Sequence, residues 1–132
     1  MNILKGEIKN LSVKDSLSLV YVDVEGITLS AIVIDTPQTA AYLTPGSKIQ
    51  LIFKETEVII GKGKENHISL QNKLPGTIGF IEKGDLLSRL VVDTEAGKIT
   101  SIITTNAVNQ LGLETGSEVT AMIKTNEIML SE

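Results

Sequence analysis

Slid against itself by 70 positions, the chain meets itself without a gap, so that residues 1–62 face residues 71–132. Asn2 falls on Asn72, Leu4 on Leu74, Gly6 on Gly76 and Ile8 on Ile78. Asp15, Leu17 and Ser18 meet Asp85, Leu87 and Ser88; Val22, Asp23 and Glu25 meet Val92, Asp93 and Glu95. Leu43, Gly46 and Ser47 meet Leu113, Gly116 and Ser117, and Lys54 and Glu57 meet Lys124 and Glu127. Roughly a quarter of the facing positions are identical and most others keep apolar character, which chance does not produce in an ungapped register of this length. Whatever the fold, it is built twice from units of ~65 residues, close to the lower limit for folding alone. Two such units need each other, or other chains, to bury enough apolar surface. The expected organisation is a first domain at 1–62, a linker at 63–68 and a second domain at 69–132. The stretch Gly61-Lys62-Gly63-Lys64-Glu65-Asn66-His67 has the Gly-rich, polar character of a boundary.

Each copy reads mainly as strands. In the second, alternation of apolar and polar residues predicts strands at Leu74–Glu82, Leu86–Thr94 and Lys98–Thr104, with turns at Gly84-Asp85 and Ala96-Gly97. A short helix is expected over Thr105–Leu113, capped by Thr105 or Asn106, followed by strands at Ser117–Lys124 and Glu127–Leu130. The first copy repeats the plan with strands near Leu4–Leu11, Leu17–Val24 and Thr28–Ile34, then a helix near Pro37–Leu43 capped by Asp35 or Thr36. Strands at Ser47–Phe53 and Glu57–Ile60 complete it. Five strands with one short helix after the third predict a small Greek-key barrel of the OB type. The expected class is all-β with short helices, as two tandem small barrels.

Composition removes several functional classes. The 132 residues contain no cysteine, so there is no disulfide framework, thiolate nucleophile or Cys-based zinc site. The start, Met-Asn-Ile-Leu-Lys-Gly, has no apolar stretch after a basic opening, and no run approaches the ~20 apolar residues of a membrane span. A cytoplasmic protein without membrane contact is expected. A net charge of -4 and only four aromatic residues, Tyr21, Tyr42, Phe53 and Phe80, disfavour direct nucleic-acid binding. The only histidine, His67, lies in the linker, and no Ser or Thr has a plausible histidine partner for a nucleophilic triad. Gly61-Lys62-Gly63-Lys64 lacks the full spacing of a phosphate loop. Asp23 with Glu25, and Asp93 with Glu95, read as solvated strand ends rather than a metal site. No enzyme, metal or cofactor is expected.

One group of side chains could still carry chemistry. Thr104-Thr105-Asn106-Ala107 opens the second-copy helix, and Lys124-Thr125 ends a strand, with Lys54 at the equivalent place in the first copy. A helix start offers free backbone N–H groups, threonines add hydroxyl donors, and lysine adds charge. A small tetrahedral dianion accepts hydrogen bonds and donates none, so such a donor-rich set suits it. The same residues also read as ordinary caps and surface charges.

These residues carry a resemblance. The second copy reads Ser69-Leu70-Gln71-Asn72-Lys73-Leu74-Pro75-Gly76, Ile103-Thr104-Thr105-Asn106-Ala107, Leu113-Glu114-Thr115-Gly116-Ser117-Glu118-Val119, Ile123-Lys124-Thr125 and Ile128-Met129-Leu130. It resembles the Mop domain, a TOBE-like module that binds molybdate or tungstate, along its whole length. The first copy matches through Asn2, Gly6, Leu43, Gly46 and Lys54. The resemblance implies an OB-like fold with strands exchanged between copies or subunits. It implies homo-oligomers, a trimer of two-copy chains first and a dimer next, with oxyanion sites at the interfaces. By position, Ser69, Asn72, Thr104, Lys124 and Thr125 would be ligands, beside Thr105 and with Lys54 from the first copy. Gln71 is counted with the expected ligands although it stands where the family has arginine, and Ala107 replaces a hydroxyl. In the first copy Ile34 and Pro37 replace hydroxyls, and Asp35 would repel a dianion, so the second copy should hold the better site. The implied function is reversible molybdate or tungstate binding for storage, homeostasis or sensing. The alternative is an assembly or regulatory module of a transporter or transcription regulator with a weakened anion site.

Overall fold

Alternation governs the strands. In Leu17–Val24, residues Ser18, Val20, Val22 and Val24 are buried while those between them reach outward, and Leu87–Thr94 repeats this with Ser88, Leu90 and Val92. The computed structural model describes residues 1–64 and 67–132; two residues of the expected linker, Glu65 and Asn66, lie outside the described residues. The first copy supplies β1 (Asn2–Lys14), β2 (Leu17–Val24), β3 (Ile27–Val33), β4 (Lys48–Phe53) and β5 (Ile59–Lys62). The second supplies β6 (Asn72–Lys83), β7 (Leu87–Thr94), β8 (Gly97–Thr104), helix α1 (Thr105–Leu111), β9 (Glu118–Ile123) and β10 (Met129–Ser131). One 3-10 turn, Glu55–Glu57, joins β4 to β5, and another, Thr125–Glu127, joins β9 to β10.

The last strands change places. One sheet has the order β10-β4-β1-β2-β3 and the other β5-β9-β6-β7-β8. Each thus contains the Greek-key order fourth-first-second-third from one copy, plus the fifth strand of the other. Leu130 pairs with Leu51, and Ile60 pairs with Ala121. The exchange that the resemblance implied takes place within one chain. The sequence copies and the sheets therefore part company at their ends: β5 belongs to the first copy by sequence and to the second sheet by pairing. The outer strands of each sheet, β10 with β3 and β5 with β8, come into contact, so each sheet curls toward a small barrel. A bulge in the long first strand of each copy, at Ile8/Asn10 and at Ile78/Phe80, sharpens that curl.

The cores match through the repeat. Leu4, Ile8, Val22, Leu29, Leu43 and Ile49 are buried at the same places as Leu74, Ile78, Val92, Ile99, Leu113 and Val119. Gly76 lies so close to β7 that a Cβ there would stand 2.3 Å from the Asp93 carbonyl oxygen. Gly6 is in the same position, 2.7 Å from the Asp23 carbonyl oxygen.

The helix expected at Pro37–Leu43 does not form. Residues 34–47 are turns, with Ala40 N–H donating to the Thr36 carbonyl at 2.8 Å. Both ends explain it. Thr104 caps α1, its hydroxyl accepting from Ala107 N–H at 3.1 Å, while Ile34 at the equivalent position has no hydroxyl. Gly112 ends α1 in the left-handed conformation at φ 63°, and its counterpart is Tyr42. The Thr39 hydroxyl further draws the first turn aside by accepting from Thr36 N–H at 2.8 Å and donating to Asp35 Oδ1 at 3.1 Å.

The two copies are pinned by a reciprocal pair of asparagines. Asn2 Nδ2 donates to the Thr100 carbonyl at 2.8 Å, and Thr100 N–H donates to Asn2 Oδ1 at 2.8 Å. Asn72 does the same to Ser30, with distances of 2.9 and 2.7 Å. Each carboxamide acts as one more strand residue on the edge of the other copy's third strand. No buried side-chain polar atom lacks a partner among the described residues. No described helix is long and apolar enough to cross a membrane.

Candidate functional site

The ladder between β6 and β9 decides which of the expected residues meet. Asn72 pairs with Ile123, so Gln71 and Lys124 are the next residues outward on adjacent strands. Thr125 follows Lys124 as the first residue of the 3-10 turn Thr125–Glu127, and Ser69 lies two residues before Gln71. Gln71, Asn72, Lys124 and Thr125 therefore gather at one end of the second sheet, with Ser69 in the segment that leads into it. The turn that carries Thr125 packs on β3 of the first copy, beside the Asn72–Ser30 contact.

Thr104 and Thr105 lie elsewhere. They sit where β8 passes into α1, and the turn packed on β8 is Glu55–Glu57, next to Lys54. Within the chain, the lysine turn that neighbours β8 is that of the first copy. The helix start and Lys124 of the second copy, grouped by sequence, belong to opposite ends of the molecule's internal symmetry. Crossing of the lysine turns from one copy to the other is the cause, and sequence spacing does not reveal it.

Local geometry separates these residues further. Ser69, Gln71, Lys124 and Lys54 are exposed, and among the described residues neither lysine forms an ion pair. Asn72 is fully buried, and its carboxamide is occupied by Ser30. The Thr104 hydroxyl accepts the α1 capping bond. The Thr105 hydroxyl donates to the Gly84 carbonyl at 2.8 Å and lies 2.8 Å from Ser88 Oγ. The Lys54 end also carries carboxylates. Glu55 accepts from the Met1 amino group at 2.7 Å, and Glu57 Oε1 accepts from Lys54 N–H at 3.1 Å. That ammonium contact holds the Glu55 carboxyl below its usual range, helped by a backbone hydrogen bond. At the other end Thr125 replaces Glu55, so the Lys124 side presents a hydroxyl where the Lys54 side presents a charge.

An open cleft of about 430 Å³ lies on the first copy, lined by Lys5, Glu7, Asp23, Glu25 and Lys48 among others. None of the residues expected from sequence lines it. Among the described residues no set of three or more His, Cys, Asp or Glu side chains is grouped to hold a metal ion. Sequence reading missed Ser30 and Thr100 as the anchors of the two asparagines; their signal was the recurrence of Asn2 at Asn72 together with equivalent positions on the third strands.

Comparison with known proteins adds an independent line. A model of the TOBE domain matches residues 1–60 and again residues 68–130. Molybdenum-pterin-binding protein 1 of Clostridium pasteurianum is 39% identical over 64 residues, covering 48% of this chain and 94% of that protein. MopB of Rhodobacter capsulatus, also named a molybdenum-pterin-binding protein, is 32% identical over 111 residues. That match covers 81% of this chain and 40% of MopB, so the chain spans well under half of that relative. Among solved structures, the cytoplasmic molybdate-binding protein ModG, with molybdate bound, superposes with a TM-score of 0.90 at 27% identity. The superposition covers 98% of this chain and 94% of ModG. These relatives are described as binding proteins.

Proposed function

From the premise that this chain belongs to the TOBE-domain family, we propose that it binds molybdate or tungstate reversibly, for storage, homeostasis or sensing. The observation that carries the reading is the gathering of Gln71, Lys124 and Thr125 at one end of the second sheet, with Ser69 in the segment that leads into it and Lys124 free of any carboxylate partner among the described residues. A tetrahedral dianion needs donors and one or more positive charges, and finds both there. The Lys54 end holds Glu55 where the Lys124 end has Thr125, and is the poorer candidate. The names of the relatives and the molybdate held by ModG support the choice of anion.

The anion is cargo, and the reading calls for no cofactor, metal or catalytic step. It places the protein in the cytoplasm, as ModG is described. It also takes the working form to be a homo-oligomer, a trimer first and a dimer next. In support, apolar side chains stand exposed at the equivalent far tip of each copy, Ile34 at 79% and Leu86 at 82%.

Isothermal titration with molybdate, tungstate, sulfate and phosphate tests the reading, alongside Lys124→Ala. Saturable binding of the first two anions is expected. Loss of one charge-assisted bond, ~1.5–3 kcal/mol, should weaken it in the variant by roughly tenfold or more. Absence of binding to any of the four anions removes the proposal.

A further inference from the structure

We propose that Asn72 is a positioning residue for the oxyanion site, acting through β3 of the first copy rather than touching the anion; this rests on the anion reading above. A carboxamide has an oxygen with two lone pairs and a nitrogen with two N–H donors. In Asn72 the oxygen accepts from Ser30 N–H at 2.7 Å and from the Ser30 hydroxyl at 3.4 Å. The nitrogen donates to the Ser30 carbonyl at 2.9 Å, and the whole residue is buried. One of its two N–H donors is thus committed inside the protein, and burial keeps the carboxamide away from a ligand at the surface.

The neighbours of Asn72 are better placed to meet a ligand. Gln71 precedes it and is exposed, and Ile123, its ladder partner, precedes Lys124. The turn beginning at Thr125 packs on β3, the strand to which Asn72 is bonded. One buried residue thus joins three elements: its backbone pairs the start of β6 with the end of β9, and its carboxamide holds the edge of the other copy. A site for a small anion depends on donors held within roughly 0.5 Å of their working positions. β2 holds one edge of β3, and releasing Ser30 would loosen the other, and with it the wall against which the Lys124 turn rests.

The repeat supplies the control. Asn2 makes the same clamp to Thr100 with two bonds of 2.8 Å, but flanks the Lys54 end. Asn72→Ala and Asn2→Ala remove equivalent contacts and differ in what lies beside them.

The test is titration of the full chain with molybdate, unaltered and carrying each variant, with thermal unfolding of all three. Both variants should unfold at similarly lowered temperatures. Asn72→Ala should weaken molybdate binding by about tenfold or more, and Asn2→Ala should leave it within about twofold. Amide hydrogen exchange on the unaltered chain keeps the proposal open to refutation should Asn72→Ala fail to fold. Ser30 N–H should stay protected as molybdate saturates the protein, since its acceptor does not move. Loss of that protection would mean that Asn72 leaves Ser30 to ligate the anion, and would overturn the proposal. So would unchanged affinity in Asn72→Ala, or equal weakening by the two variants, which would mark a general loss of stability. No molybdate binding by the unaltered chain would instead sink the anion reading, and this proposal with it.

Discussion

Replacing Gly76 by alanine tests how closely the first two strands of a copy must approach. A Cβ at Gly76 would stand 2.3 Å from the Asp93 carbonyl oxygen, 2.9 Å from Val92 Cγ1 and 3.0 Å from Thr94 Cγ2. Carbon and oxygen atoms settle no closer than ~3.3 Å, so the overlap is about 1 Å. It falls on backbone, and no rotamer change relieves it. β6 and β7, with strands normally ~4.8 Å apart, must separate around the Gly76–Thr94 pair. Overpacking of this kind costs ~1–3 kcal/mol, and a backbone clash belongs at the upper end. At ~3–5 °C per kcal/mol for a chain of this size, the melting temperature should fall by ~10–15 °C. Gly116→Ala is the comparison. Its Cβ meets nothing within 4 Å, but its φ of 95° disfavours alanine, for ~1 kcal/mol and a fall of ~3–5 °C. Thermal unfolding followed by circular dichroism measures both. If Gly76→Ala melts no lower than Gly116→Ala, strand approach is not what requires glycine there, and the packing argument fails.

Cutting the chain between Glu65 and Asn66 should leave two fragments that co-elute in native size exclusion, because β5 and β10 each sit in the other half's sheet; separation into free halves would contradict the exchange. Thr104→Ala should cost ~1 kcal/mol in urea unfolding and speed amide exchange at Ala107, whose N–H loses its cap. Burial, with smaller contributions from the charges of Asp35 and Glu132, raises the Tyr42 phenol above 10.0. The stability tied to its neutral form is therefore complete below that pH and is lost as pH rises through the folded value. Tyr42→Phe should flatten that alkaline decline in urea unfolding, and an unchanged pH profile would refute the assignment.

The strands were legible because alternation survives in both copies: Val20, Val22 and Val24 point inward as the pattern requires. The helix was legible only where its caps exist. Thr104 and Gly112 bound α1, and their counterparts Ile34 and Tyr42 offer neither a hydroxyl nor a left-handed residue. Pro37 and the threonines around it read as a helix start and fold as turns, because a first turn without caps is outweighed by local side-chain bonds from Thr39. At the candidate site, residue types were readable but their grouping was not. Alignment shows what each copy resembles, not which copy its last strand enters. Hence sequence spacing groups Lys124 with Thr104, while the fold sets it beside Gln71, with the turn that follows it packed on β3. Asn72 stood out by its recurrence, yet nothing in the sequence distinguishes an amide held by backbone from one held out to a ligand.

The pairing of Leu130 with Leu51 has a bearing on synthesis. β4 leaves the ribosome long before the strand that covers its outer edge. At ~5–20 residues per second, the intervening stretch takes roughly 4–16 s to make. Throughout that interval the nascent first copy carries an open strand edge, the kind of surface to which other chains add. Synthesis of β10, rather than completion of the first copy, is the event that covers this edge.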